Sequence, residues 1–263
     1  MTNNSRQKKV DKYEDKRKRK NNKKDKTGGA TVKQKFENER NMPPVEPKTK
    51  KQQYYFALLN DPNIQIIIAE GLFGTGKTFC SAVVAADKFR KNEIGKIIVA
   101  RPYVQTGKTS GFKPGDSLQK LYPYVRNVLN VIEMRIGKGA FNVALGDGTS
   151  GDIEVQEVES IRGRSFDERS FLMIEEAQQT SPDEMKSIVT RIGEGCKLII
   201  SGDDSQRDIE GQSGLAWIKS FAKRHNLSNV GFVNFDDPSD IVRSGIVREI
   251  AYGLAKDEGN AKF

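Results

Sequence analysis

The octapeptide GLFGTGKT, residues 71–78, joins the apolar run NIQIIIAE to FCSAVVAADKFRK, whose apolar residues recur at helical spacing. Gly71, Gly76, Lys77 and Thr78 satisfy G-x-x-x-x-G-K-[ST], with Leu72, Phe73, Gly74 and Thr75 inside the loop and Phe79 after it. Glycines let the backbone curl until successive N–H groups face one point, and the following helix adds its positive end there. Such a loop cradles phosphates: Lys77 brings a point charge to the β- and γ-phosphates, and Thr78 offers a hydroxyl to Mg²⁺. A strand, a glycine turn and a helix must follow one another, which commits this part of the chain to an α/β fold. The plainer reading is a glycine turn in an ordinary strand–helix connection.

The rest of the chain keeps the same rhythm. Apolar runs at 64–69, 96–101, 171–176, 197–202 and 230–235 predict buried strands, and DIEVQEV predicts another. Helical patterns cover 77–91, 117–136, 182–192, 214–224 and 239–255. Continuous apolar strands alternating with helices imply a mostly parallel sheet covered on both faces. The stretch 137–152 holds five glycines and predicts a hairpin or mobile loop.

Charge is distributed unevenly. Residues 1–40 hold 15 Lys/Arg against 6 Asp/Glu, whereas the remainder holds 29 of each sign, so the net +9 belongs to the N-terminus. With few apolar residues to offset the entropy of ordering, 1–46 is expected to be a disordered basic tail and linker, and 47–263 the folded domain. The tail is either a nonspecific grip on nucleic acid or a solubilising segment. Two distant cysteines, Cys80 and Cys196, and one histidine, His225, argue against a zinc site or a disulfide framework. Without a leader or a membrane-length apolar run, a cytoplasmic setting is expected.

A second element carries carboxylates. FLMIEEAQ ends an apolar strand in Glu175 and Glu176, and the carboxyl ends of strands are where open α/β sheets bind ligands. Glu175 is placed to support the Mg²⁺ shell and Glu176 to orient or deprotonate an attacking water. Two solvated acids opening a helix are the simpler alternative. The next strand ends in SGDDSQ, where Gln206, both donor and acceptor, can sense a γ-phosphate.

Taken together, PKTKKQQYY, GLFGTGKT, ARPYVQTGKTSGFKPGD, SIRGRSFDERSFLMIEEAQQTSPDEMKSIVTRIGEG, SGDDSQRDI and DIVRSGIVREI resemble the PhoH-like family, P-loop ATPases related to the core of superfamily-one helicases. The resemblance implies a single RecA-like P-loop NTPase domain with ATP and Mg²⁺ as ligands. It implies that Gln52, in PKTKKQ, reads the adenine edge, that Gln206 senses the γ-phosphate, and that Arg243, in DIVR, is a finger toward a neighbouring subunit's nucleotide in a homo-oligomer, a hexameric ring being favoured. Arg101, Arg162 and Arg164 fall in family motifs, where they contact phosphate or nucleic acid or brace loops. One departure stands out: Glu175 occupies the place where the family usually has aspartate.

Three functions compete. The first is an oligomeric ATPase acting on RNA or single-stranded nucleic acid. The second is an ATP-gated switch or scaffold with a protein partner, favoured by the balanced charge of the core. The third is a kinase, against which the GDxxQ and DIVR elements weigh.

Overall fold

The computed structural model describes residues 42–102, 117–161 and 163–257. Six strands form one sheet: β1 (Ile66–Gly71), β2 (Lys96–Arg101), β3 (Ile153–Glu157), β4 (Ser170–Ile174), β5 (Lys197–Gly202) and β6 (Val230–Phe235). Their order is β3-β2-β4-β5-β1-β6, and every pairing is parallel. Parallel strands need crossovers, and seven α-helices are described: α1 (Lys50–Asn60), α2 (Lys77–Arg90), α3 (Ser117–Ile136), α4 (Lys138–Leu145), α5 (Pro182–Val189), α6 (Gly214–Arg224) and α7 (Gly245–Asp257).

Alternate strand residues supply the two faces of the sheet. Ile68, Ile98, Leu172, Ile174, Leu198 and Ile200 share a core with Met185 and Ile188 of α5 and Leu215 and Ile218 of α6. Helix α2 packs against both α1 and α3, and all three lie against the sheet. With both faces covered, strands that are buried throughout, such as SFLMI, are the expected outcome. The expected α/β architecture is therefore observed.

Several expectations need correction. Residues 137–152 are not a hairpin: α4 lies there, burying Ala140, Phe141 and Ala144 between Gly137 at φ 85° and Gly146 at φ 54°. The flanking glycines end the helix rather than dissolve it. Helix α1, unmarked by apolar periodicity, buries Gln52, Tyr55, Leu58 and Leu59 and starts at Thr49, whose side chain accepts from the Gln52 N–H at 3.1 Å. The pattern over 239–255 divides into a 3₁₀ turn at Pro238–Asp240 and α7. Helix α5 ends at Val189 rather than 192, and β4 ends at Ile174, leaving both glutamates beyond the strand. The tail expected over 1–46 lies outside the described residues up to 41; residues 42–47 carry no helix or strand. Among the described residues no helix is long and apolar enough to cross a membrane.

The topology brings the functional segments to one edge. The glycine loop follows β1, Glu175 and Glu176 follow β4, and Asp203 to Gln206 follow β5, all at carboxyl ends of adjacent strands. Gly71 fixes how tightly this edge closes. Its φ is 122°, and a Cβ there would collide with the Phe235 backbone at the end of β6, whose carbonyl accepts from the Leu72 N–H at 2.8 Å.

Candidate nucleotide site

The loop after β1 curls through Gly71, Gly74 and Gly76, at φ 122°, 72° and 87°, before α2 begins at Lys77. The Thr75 hydroxyl donates to the Leu72 carbonyl at 3.0 Å and closes the curl from within. Lys77 Nζ donates to the carbonyls of Gly71 at 2.5 Å and Leu72 at 2.8 Å. Burial lowers its pKa, while Asp203, Glu175, Glu176 and Glu70 oppose that and favour the charge. The ammonium thus neutralises an acidic surround, and an arriving phosphate would draw it from the two carbonyls.

Glu175 is buried, and its backbone N–H donates to the Ala100 carbonyl at 2.9 Å, so the backbone is fixed against β2. Its Oε2 accepts from the Thr78 hydroxyl, and its Oε1 is buried without a hydrogen-bond partner among the described residues. Burial pushes its carboxyl up to about 7; the Thr78 bond opposes this, Glu176 adds to it, and Lys77 and Arg101 pull it back. An orphaned carboxylate oxygen beside a threonine hydroxyl is a fit for a divalent cation. One carboxylate and one hydroxyl are the donor set that suits Mg²⁺, a metal held by one or two side chains plus substrate phosphates. The extra methylene of Glu175 does not prevent it from reaching Thr78.

Glu176 stands apart from its neighbour. It adopts φ 55°, ψ 43°, a left-handed conformation uncommon for a glutamate, and its side chain is 41% exposed. Its Oε2 accepts from Gln178 Nε2 at 2.7 Å, and its Oε1 lies 3.8 Å from Arg101. Gln178 is buried, and its Oε1 accepts from the Asp203 N–H at 3.1 Å. One amide therefore ties the loop after β4 to the loop after β5. In that second loop Gln206 Nε2 donates to Asp203 Oδ2 at 2.6 Å.

Lys77, Thr78, Glu175, Glu176, Asp203 and Gln206 line one cavity of about 790 Å³, within the range of small-molecule sites. Residues 44–254 match the PhoH-like protein family. This chain belongs to the PhoH-like family. It is 33% identical to the PhoH-like protein of Bacillus subtilis (strain 168) over 208 residues, which is 78% of this chain and 62% of that protein. It is 31% identical to Protein PhoH of Escherichia coli (strain K12) over 218 residues, 82% of this chain and 60% of the relative. The chain thus spans less than two thirds of these PhoH proteins. The large terminase of bacteriophage HK97 shares the fold at a TM-score of 0.53 with 14% identity, over 82% of this chain and 48% of that one.

Of the residues singled out in this PhoH-like sequence, Gln52, Gly71, Phe73 to Phe79, Arg101, Glu175, Glu176, Gln206 and Arg243 line the cavity. Leu72 does not; its carbonyl serves Lys77 and Thr75 instead. Gln52 is only 4% exposed, and its Nε2 donates to the Thr75 carbonyl while its Oε1 accepts from the Lys48 N–H, both at 2.8 Å. It braces the phosphate loop, with one donor and one lone pair left over for a base. Arg164 is drawn away to a buried acid, donating to Glu154 Oε2 at 2.5 Å and Oε1 at 3.2 Å; of the roles open to it, bracing is the one its contacts support. Arg162 lies outside the described residues. Arg243 lines the cavity of its own chain, its Cδ 3.1 Å from where a Cβ on Gly74 would stand. The Val242 N–H donates to the Gly74 carbonyl at 3.0 Å, which straps the DIVR segment to its own phosphate loop, and Lys51 of α1 pairs with Asp240 at 3.1 Å.

Lys48, Tyr124, Asp203 and Gln178 also belong to this surround and were not singled out by sequence reasoning. Asp203 and Gln178 stand inside the motifs GDDSQ and EEAQQ, where a bridge between two strand ends could have been sought. Lys48 and Tyr124 reach the site only through tertiary packing.

Proposed function

We propose that this chain is a Mg²⁺-dependent ATP hydrolase of helicase-like type, acting as an oligomeric motor on RNA or single-stranded nucleic acid. One observation carries the hydrolase reading: Lys77, the Thr78–Glu175 pair and Glu176 face one cavity from adjacent strand ends, together with Gln206. ATP lies over the glycine loop, with Lys77 on its β- and γ-phosphates and the Gln52 edge near the base. Thr78 and Glu175 would hold Mg²⁺, which would supply charge neutralisation to the phosphates. Glu176 orients a water toward the γ-phosphorus. The new P–O bond forms as the bond to the β,γ-bridging oxygen breaks, that oxygen keeps the electron pair as part of ADP, and Glu176 takes the water's proton and returns it to phosphate. Gln178 passes the state of this site to the Asp203–Gln206 loop.

The nucleic-acid reading is supported by the basic N-terminus and the family's helicase-like motifs. A switch with a protein partner has its own support: Ile246, Ile250 and Leu254 are exposed at i, i+4 and i+8 along α7, next to the DIVR strap. That stripe equally serves contact between copies of the chain. The test is ATP turnover by the full chain and by a chain starting at Met42, each with and without RNA. Stimulation of the full chain by severalfold, weakening with added salt, is expected. No response to RNA or single-stranded DNA in either chain would discard the motor in favour of the switch, and labelled phosphate on an acceptor would mark a kinase.

A further inference from the structure

We infer that Arg101 is a catalytic arginine supplied by the same chain, which contacts the γ-phosphate and, in doing so, releases Glu176 to act on water. This rests on the ATPase reading above. Arg101 is the last residue of β2, one strand away from the glutamates, and it lines the same cavity as Lys77. Its Nη1 lies 3.8 Å from Glu176 Oε1, near enough for charge attraction and too far for a hydrogen bond. Its Cζ sits 5.1 Å from the ring centroid of Tyr124 on α3, a contact that aims the guanidinium without consuming its donors.

Compare the other cations of this edge. Lys77 is engaged by two carbonyls of its own loop, Lys51 pairs with Asp236 and Asp240, and Arg243, which also lines the cavity, stands beside Gly74 of the glycine loop. Arg164 is spent on Glu154. Arg101 has donors to give, and among the described residues its one ion pair is with the glutamate that must become available for hydrolysis. A loose pair of this kind exchanges readily, because the γ-phosphate offers two non-bridging oxygens to which the guanidinium can donate bidentately and Glu176 offers only a distant one. While the cavity holds no γ-phosphate, Arg101 and Gln178 hold Glu176 from its two sides; when the phosphate arrives, Arg101 turns to it, and Glu176 keeps only the Gln178 bond that orients it. In the transition state the same guanidinium meets the charge that builds on the equatorial oxygens. Neither step calls for a neighbouring subunit.

The test reads affinity and turnover separately in Arg101→Ala and Arg101→Lys. In Arg101→Ala, turnover should fall by about 10²-fold or more, and affinity for a non-hydrolysable ATP analogue by about tenfold, with ADP affinity held within about twofold. Arg101→Lys should recover little turnover, since an ammonium cannot make the forked contact. Mixing Arg101→Ala with Glu176→Gln protein should restore nothing, because each active site needs both residues from one chain. Equal losses of ATP and ADP affinity would reduce Arg101 to a structural brace, and restored turnover on mixing would move it to the neighbour's site; either result overturns the inference. Should the wild-type chain release no phosphate, the ATPase reading fails, and the ATP-to-ADP affinity ratio still decides whether Arg101 touches the γ-phosphate.

Discussion

Lys77→Ala should lose ATP binding by about 10²-fold in Kd, corresponding to roughly 3 kcal/mol for a truncated charge pair in a desolvated site. The effect has two parts. The variant removes the cation that meets the β- and γ-phosphates, and it also unmasks Asp203, Glu175, Glu176 and Glu70, whose charges Lys77 balances. A polyanion would then enter a cavity of its own sign. Calorimetric titration with ATP in the presence of Mg²⁺ reads the loss directly. Wild-type affinity in Lys77→Ala would mean that the glycine loop is not the phosphate site.

Glu175→Gln should behave in the opposite sense on stability. The folded-state carboxyl sits at about 7 against an ordinary value of 4.5 because it is buried. The native state therefore holds this proton more tightly than the unfolded chain does. Ionising Glu175 destabilises the ligand-free protein progressively as pH rises from about 4.5 to 7, and the penalty is complete above that window. A shift of this size amounts to about 3 kcal/mol at pH 8. Glutamine does not titrate, so ligand-free Glu175→Gln should be more stable than wild type at pH 8 by about 2–3 kcal/mol, with the gap closing toward pH 5. Added Mg²⁺ and ATP should then stabilise wild type more than the variant, because the carboxylate is retained for the cation and not for the fold. Urea titrations at the two pH values measure the gap; a variant less stable than wild type at pH 8 would mean that Glu175 is a structural acid.

The strands were readable because both faces of this sheet are covered, so KIIVAR and KLIISG appear as unbroken apolar runs. Helices with an apolar stripe, such as α3 and α6, were equally plain. What escaped were segments whose burial depends on tertiary partners. Helix α1 buries a glutamine because Thr75 and Lys48 satisfy its amide, and no periodicity rule counts a polar residue as core. Helix α4 is short and bounded by glycines, which look like loop chemistry until they serve as caps. At the site, motif spacing gave the loop, the two glutamates and Gln206. It could not give Gln178, whose role exists only because β4 and β5 are neighbours, nor the side from which Arg243 approaches.

The most direct test is phosphate release from ATP by the full chain, with Mg²⁺ and with the metal chelated, beside Glu176→Gln. The expected result is metal-dependent release by wild type, with a drop of about 10²–10⁴-fold in Glu176→Gln while ATP affinity is retained. Equal release by the two proteins, or release that is indifferent to Mg²⁺, would contradict it.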